Sequence, residues 1–237
     1  MAHPFDAFER IFVINLPSRE DRRREMGVQF EKVGLGWASP GVELFVATRP
    51  ADAGSFPSLG TRGCFLSHLG VLRQAQRSGC RTILILEDDV NFVADFRPRM
   101  AAITHALSGV RWDFFYGGHK MDSPPVGNGT PVLKIASSDG VQTAHFVALS
   151  SAAIALLVPY LEAQLERPAG HPDGGPMHVD GTYSWFRREH PDLVTFVATP
   201  EVAYQRASRT DIHELPWHDR AWGVRTMVSQ LRRLKNR

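Results

Sequence analysis

The sequence is poor in cysteine and has no excess of charge of either sign. Only two of its 237 residues are cysteines, Cys64 and Cys80, so it carries no disulfide framework, and a reducing cytoplasm is the simplest expectation. Its 27 basic residues nearly balance its 25 acidic residues, which argues against a general nucleic-acid-binding protein. No apolar run approaches the length of a membrane span, and the first residues lack the pattern of a secretory signal.

What the sequence does contain is the composition of an ordinary globular protein. Hydrophobic residues make up 43% of the chain and charged residues 22%. A chain of this length buries roughly 70–75% of the surface of its unfolded form, so it needs neither disulfides nor metals merely to fold. We expect a single domain over residues 1–237, with a core from about 11 to 212 and a helical extension at 213–237.

Short apolar segments alternate with amphipathic helices along the chain. The pattern predicts strands at 10–16, 42–47 and 82–86 and helices at 19–33 and 63–75. This alternation predicts an α/β fold with a mainly parallel sheet sandwiched by helices. Ligands of such folds bind at the carboxyl ends of the strands, so the loops that follow the strands are where a site is expected.

Three carboxylates follow the most apolar of these strands. The strand reads ILIL, and Glu87, Asp88 and Asp89 come directly after it, with the next basic residue at Arg97. Like charges this close repel each other and persist at low cost when a cation binds them. If the strand geometry continues, Glu87 and Asp89 face one side and Asp88 the other. Carboxylate oxygens suit Mg²⁺ or Mn²⁺, although a solvated acidic turn is the simpler alternative.

Several segments together resemble glycosyltransferase family 25, which includes bacterial lipooligosaccharide galactosyltransferases and relatives of collagen galactosyltransferases. The three stronger similarities lie at 13–23, at 63–69 (GCFLSHL) and at 85–90 (ILEDDV), and two fainter ones lie at 143–150 and 200–212. The resemblance implies a GT-A type fold, a UDP-sugar donor with galactose or glucose, a divalent cation (Mn²⁺ or Mg²⁺) and inversion at the anomeric carbon. It further implies a glycan, lipid-linked or protein hydroxyl as acceptor, and a role in lipopolysaccharide or cell-surface glycan synthesis.

The resemblance also suggests roles for the acidic residues. Glu87 and Asp89 would hold the cation that neutralises the leaving diphosphate. Asp88 would ligate through water or bind the donor ribose. Late in the chain, Asp211 and His213 are expected to touch the diphosphate or complete the metal shell, with His213 the more natural metal ligand. The alternative for His213 is an ordinary surface histidine.

Donor-binding residues are expected after the first strand and around the second helix. Guanidinium groups suit phosphate oxygens, so the basic turn after the first strand is interpreted as a nucleotide and phosphate contact, or else as a solvated helix face. A helix N-terminus near residue 63 would face a phosphate. The expected donor-binding residues are Asn15, Arg19, Arg22, Arg23, Arg62, Gly63, Ser67 and His68. For His68 the alternative is a packed histidine with a structural hydrogen bond.

An inverting transfer needs a general base for the acceptor hydroxyl. Asp180 is the candidate, and it follows a loose loop and starts a short predicted helix. The alternative is that Asp180 simply caps that helix.

The C-terminal segment 213–237 combines an apolar side with several arginines and lysines. It is interpreted as an amphipathic helix docked on the domain. The alternative is peripheral contact with the anionic inner face of a membrane, where lipid-linked acceptors are found.

Two other functions fit the same residues. A metal-dependent phosphoester hydrolase or nucleotidyltransferase would combine the carboxylates with His68, His145 and His213. A degenerate transferase would bind a sugar nucleotide or glycan without turnover.

Overall fold

A computed structural model describes residues 4–122 and 129–206 of the protein. Asp211, His213 and the predicted extension at 213–237 lie outside the described residues, so their assigned roles stay predictions. The described part contains five helices and nine strands. The helices are α1 (Glu20–Val33), α2 (Leu59–Arg77), α3 (Phe96–Leu107), α4 (Ser151–Glu166) and α5 (Val179–Glu189).

Seven strands form one sheet in the order β2-β1-β3-β7-β5-β8-β6, and β4 pairs with β9 in a separate ribbon. The strands are β1 (Arg10–Asn15), β2 (Val42–Val46), β3 (Thr82–Glu87), β4 (Val90–Phe92), β5 (Phe114–Tyr116), β6 (Val132–Ile135), β7 (Phe146–Ser150), β8 (Thr195–Ala198) and β9 (Ala203–Gln205). Within the described sheet, five of the seven strands run in one direction, and β6 and β7 run against them. The expected α/β fold with a mainly parallel sheet is therefore confirmed.

Helices cover both faces of the sheet. Side chains of α2, α4 and α5 pack on one face, and those of α1 and α3 pack on the other. Strand β3 is apolar at every buried position because both of its faces are covered. Ile83 and Ile85 pack in the core with α2, α4 and α5, and Leu84 and Leu86 pack in the core with α1 and α3. Successive side chains of a strand point to opposite faces, so a strand with helices on both sides is apolar throughout.

Helix α2 begins earlier than the sequence pattern predicted. Ser58 is its N-cap, with Oγ accepting a hydrogen bond from the backbone N–H of Thr61 at 3.0 Å. Arg62 and Gly63 therefore lie inside the first turns of the helix and do not precede it. The predicted helix N-terminus at residue 63 is wrong, because the serine cap five residues upstream satisfies one of the first free N–H groups.

The parallel strands β1, β2 and β3 end at the same edge of the sheet. Asn15, Val46 and Glu87 are their last residues. The acidic segment and the basic turn after β1 consequently meet at this edge, as expected for ligand sites of open α/β sheets. Among the helices of the described ranges, none is both long and apolar enough to cross a bilayer.

Candidate functional site

The acidic segment is a turn and does not continue the strand. β3 ends at Glu87, Asp88 and Asp89 form the turn, and β4 begins at Val90. The strand geometry does not continue past Glu87, so the strand-based argument that Glu87 and Asp89 face one side does not apply. Each of the three carboxylates has its own surroundings.

Asp88 is held by residues from the first strand and the first helix. Its Oδ1 lies 2.7 Å from Arg22 Nη1, and its Oδ2 accepts a hydrogen bond from Asn15 Nδ2 at 2.8 Å. All three side chains are buried. The charge of Asp88 is thus neutralised inside the protein, which makes Asp88 a poor metal ligand and gives a structural role to Asn15 at the end of β1 and to Arg22 in α1.

Asp89 is buried with less compensation. Its Oδ2 accepts a hydrogen bond from Gln205 Nε2 at 3.1 Å and lies 3.8 Å from Arg22 Nη1. Its Oδ1 has no hydrogen-bond partner among the described residues. Burial and then the negative charge of Glu87 raise the pKa of Asp89 to about 7, against a smaller lowering by Arg22. A bound cation would supply the positive charge that this carboxylate lacks.

Glu87 points towards α2 and α5. Its Oε1 lies 3.4 Å from His68 Nε2 and 3.9 Å from Cys64 Sγ. Desolvation opposes ionisation, but the polar contact with His68, followed by the charges of His145 and Arg22, outweighs it and lowers the pKa of Glu87. Glu87 is therefore ionised at neutral pH.

His68 is fixed from behind by a tyrosine. The ring is fully buried, and its Nδ1 shares a 2.9 Å hydrogen bond with the hydroxyl of Tyr183 in α5. This bond orients Nε2 towards Glu87. The histidine consequently joins helices α2 and α5 to the acidic edge of the sheet, in addition to any role towards a ligand.

A cleft of about 320 Å³ opens over this edge. Eight residues expected at the site line it: Arg19, Arg22, Gly63, Ser67, His68, Glu87, Asp88 and Asp89. The loop after β2 contributes Thr48 and Arg49, and Arg49 was not anticipated from the sequence. The cleft thus brings cationic and acidic groups to one concave surface, as a diphosphate with its cation requires.

Three expected donor-binding residues are not cleft-lining residues of the described structure. Asn15 lies behind Asp88, and Arg23 is 3.9 Å from Glu20 on α1. Arg62 forms an ion pair with Asp52 in the preceding loop. Arg23 and Arg62 thus contact local carboxylates, and their role in donor binding stays a prediction, whereas Asn15 positions Asp88.

Gly63 and Ser67 attach the loop after β2 to helix α2. Ser67 Oγ accepts a hydrogen bond from the Thr48 N–H at 2.8 Å and donates one to the Gly63 carbonyl at 2.6 Å. A Cβ at Gly63 would lie 2.8 Å from the carbonyl oxygen of Thr48. Both residues thus shape the cleft wall through backbone contacts.

Asp180 lines a second, smaller cavity of about 100 Å³. It lies in the first turn of α5, whose N-cap is His178, so the interpretation of Asp180 as the cap is wrong. Its Oδ1 accepts a hydrogen bond from the Gly181 N–H at 2.8 Å. Cys64 and Glu87 line both cavities, which makes them the wall between the two.

Sequence reasoning missed Cys64 and Arg206. Cys64 precedes His68 by four residues, and this helical spacing could have indicated a shared face. Burial, followed by the charges of Glu87, Asp180 and Asp89, raises the pKa of the Cys64 thiol well above its ordinary range. The Arg206 guanidinium donates a hydrogen bond to the Asp88 carbonyl at 3.0 Å, and its backbone N–H donates one to the Asp89 carbonyl at 2.7 Å. The local sequence around Arg206 does not predict these contacts.

The sequence matches one family model and several curated proteins. The model of glycosyltransferase family 25, described as LPS biosynthesis protein, matches residues 8–123. Inactive glycosyltransferase 25 family member 3 of Homo sapiens is 28% identical over 220 residues, covering 83% of this chain and 36% of that protein. Procollagen galactosyltransferase 1-B of Xenopus laevis is 26% identical over 132 residues, covering 48% of this chain and 22% of that protein.

A third relative and a solved structure complete the comparison. A glycosyltransferase 25 family member of Drosophila pseudoobscura pseudoobscura is 33% identical over 134 residues, covering 47% of this chain and 21% of that protein. The crystal structure of a glycosyltransferase involved in the glycosylation of the major capsid of PBCV-1 shares 14% identity and a TM-score of 0.39, covering 80% of this chain and 92% of that one. A similarity this low does not bear on function.

These sequence matches confirm the resemblance to glycosyltransferase family 25, whose model covers residues 8–123, just under half of the chain. The chain spans about a third or less of the length of the relatives just described.

Proposed function

We propose that this protein is a metal-dependent glycosyltransferase that moves a hexose, galactose or glucose, from a UDP-sugar to a hydroxyl acceptor with inversion. The main support is Asp89, a buried carboxylate beside ionised Glu87 in a cleft that also presents arginines. In a cleft without a ligand this arrangement is costly. A divalent cation with a diphosphate would compensate it.

Glu87 and Asp89 are the residues that would hold Mn²⁺ or Mg²⁺. Asp89 Oδ1 has no hydrogen-bond partner in the described part of the chain, which fits a carboxylate that binds a cation, and hard oxygen donors suit these ions. When bound, the cation would supply neutralisation of the charge that builds on the leaving diphosphate.

The basic side of the cleft would bind the donor. Arg19 and Arg49 line it from the loops after β1 and β2, where guanidinium groups would contact phosphate oxygens. Arg19 also donates two hydrogen bonds to Asp21, at 3.0 and 2.9 Å, which hold its guanidinium at the cleft. Arg22 instead holds Asp88 at 2.7 Å and so fixes the acidic turn that carries Asp89. Asp88 is a positioning residue in this scheme.

The second cavity would receive the acceptor. Asp180 lines it, and its carboxylate would take the proton of the acceptor hydroxyl as that oxygen attacks the anomeric carbon. Because Glu87 and Cys64 line both cavities, the acceptor would approach the donor across this shared wall. Attack from the side opposite the diphosphate gives inversion.

The acceptor class, the role in lipopolysaccharide or surface-glycan synthesis, the cytoplasmic location and a peripheral membrane contact remain parts of this proposal. The family description as LPS biosynthesis protein supports the glycan role, and the name of the Xenopus relative supports a galactose donor and a protein acceptor. No described residue bears on the membrane contact, which was assigned to residues 213–237.

The deciding experiment measures UDP release from UDP-galactose and UDP-glucose with Mn²⁺, with Mg²⁺ and with a chelator. We expect release that requires the metal and is lost in Asp89→Asn. Asp95→Asn, at the N-terminus of α3, is the matched control because its carboxylate pairs with Arg99 in the same helix. Metal-independent release, or an active Asp89→Asn enzyme, would contradict the metal assignment.

The same assay separates the other functions. A phosphoester hydrolase or nucleotidyltransferase would cleave within the diphosphate and yield UMP or a sugar phosphate. A protein that binds without turnover would show UDP affinity by calorimetry and no product with any acceptor. The human relative, which is named inactive, supports this alternative.

A further inference from the structure

Three side chains with different donor atoms converge beneath the cleft. Cys64 and His68 lie four residues apart on one face of α2, and Glu87 ends β3 opposite them. The ligand atoms, a thiol sulfur, an imidazole nitrogen and a carboxylate oxygen, all lie within 4.8 Å of one another. This spacing fits one ion bonded to all three, since zinc takes sulfur at about 2.3 Å and nitrogen or oxygen at about 2.0–2.2 Å.

The histidine is already oriented for ligation. Tyr183 Oη bonds to Nδ1 at 2.9 Å, which leaves Nε2 directed at Glu87 from a fully buried ring. Within the described residues Nε2 makes no well-formed hydrogen bond, although Glu87 Oε1 lies 3.4 Å away. An outer partner that fixes the second ring nitrogen is the usual accompaniment of a metal-bound histidine.

The donor set selects the metal. Magnesium and manganese prefer oxygen ligands, whereas a thiolate with an imidazole favours zinc. We propose that Cys64, His68 and Glu87 form a Zn²⁺ site whose fourth position opens to the cleft. On binding, the Cys64 thiol releases its proton to solvent, and the thiolate and carboxylate balance the two charges of the ion.

Occupation of this site has a consequence for the reaction, which rests on the proposed function. Glu87 cannot serve the zinc and the sugar-nucleotide cation at once. Zinc at the wall shared by the two cavities therefore inhibits transfer in competition with Mn²⁺. The site itself is defined without reference to transfer, so it is testable on its own.

Cobalt titration of the metal-free full-length protein, without any nucleotide, is the direct test. Co²⁺ is a spectroscopic substitute for zinc, and a cobalt–thiolate bond gives a charge-transfer band in the near ultraviolet. We expect one equivalent of this band, bleached by Zn²⁺, absent in Cys64→Ser and retained in Cys80→Ala. Cys80 is the control thiol because it lies just before β3, whereas Glu87 ends that strand. The length of the strand separates the two residues by roughly 20 Å.

A second variant and a labelling measurement keep the zinc site testable if Cys64→Ser fails to fold. Tyr183→Phe keeps the shape of the ring and removes only the hydroxyl on Nδ1, so zinc affinity should fall about 10- to 100-fold. In the unmodified protein, Zn²⁺ should protect Cys64 from alkylation, with the modified peptide identified by mass spectrometry. A missing thiolate band, a band that survives Cys64→Ser, or unprotected Cys64 would overturn the zinc site whatever the transferase assay shows.

Discussion

Arg22 Nη1 lies 2.7 Å from Asp88 Oδ1, a buried ion pair between residues that are 66 positions apart in the sequence. The pair joins the first helix to the acidic turn after β3. Asn15 completes it with a second hydrogen bond to Asp88. Because this ion pair is buried and also belongs to the site, a change in the charges of the site changes the stability of the fold.

Loss of one partner of the pair should be costly. Arg22→Met leaves Asp88 as an uncompensated buried charge, and we expect a loss of about 3–5 kcal/mol in the free energy of unfolding. Denaturant unfolding followed by circular dichroism measures it. Arg23→Met is the control, because Arg23 makes only a 3.9 Å contact with exposed Glu20 and should change stability by less than about 0.5 kcal/mol. Equal effects of the two substitutions would refute the pair's structural role.

Stability should fall as pH rises because of Asp89. The pKa of this carboxyl is about 7 in the folded protein and near 3.8 in an unfolded chain. Between these values the folded state binds the extra proton, so the linkage relation makes the free energy of unfolding decrease with increasing pH. Unfolding measured from pH 4 to 8 should show this decrease, and Asp89→Asn should remove most of it. A variant that keeps the full pH dependence would assign it to other groups.

Cation affinity should change with pH in the opposite sense. Because Mn²⁺ needs the ionised form of Asp89, its affinity should weaken as pH falls through about 7. Calorimetric titration at pH 6 and pH 8 measures the difference. Affinity that does not change between these pH values would mean that Asp89 is not a ligand.

Asp180 should affect transfer and leave donor binding alone. Loss of a general base typically costs about 10²- to 10⁴-fold in rate, so Asp180→Asn should lower turnover to acceptor by that order. The affinity for UDP should stay within error, since Asp180 lines the second cavity and not the cleft. Asp173→Asn, in the preceding loop, is the control carboxylate. A parallel loss of UDP affinity would place Asp180 at the donor instead.

Gly63→Ala should destabilise the protein, although alanine normally stabilises a helix by about 0.5–1 kcal/mol relative to glycine. The added Cβ would lie 2.8 Å from the Thr48 carbonyl oxygen and push the loop away from α2. Thermal unfolding compares it with Gly36→Ala, where a Cβ meets nothing within 4 Å. A stabilised Gly63→Ala protein would show that the loop after β2 moves away from the new methyl group at no cost in stability.

The sequence anticipated the class of fold for a definite reason. Local periodicity predicts which segments are apolar strands and which are amphipathic helices. The order of these strands and helices along the chain then allows few sheet topologies. The start of α2 was not found from the sequence, because Ser58 caps the helix five residues before the apolar pattern becomes evident. The antiparallel insertion of β7 between β3 and β5 is set by tertiary pairing and has no local signal.

At the site, the sequence by itself determined which chemical groups are available: three carboxylates after a buried strand and arginines after another. Only the tertiary structure decided their partners. After the turn, Asp88 pairs with Arg22 and Glu87 faces Cys64 and His68. One oxygen of Asp89 has no partner among residues 4–122 and 129–206. Contacts between residues tens of positions apart depend on how the strands pair and the helices pack, and a local pattern carries no information about such distances.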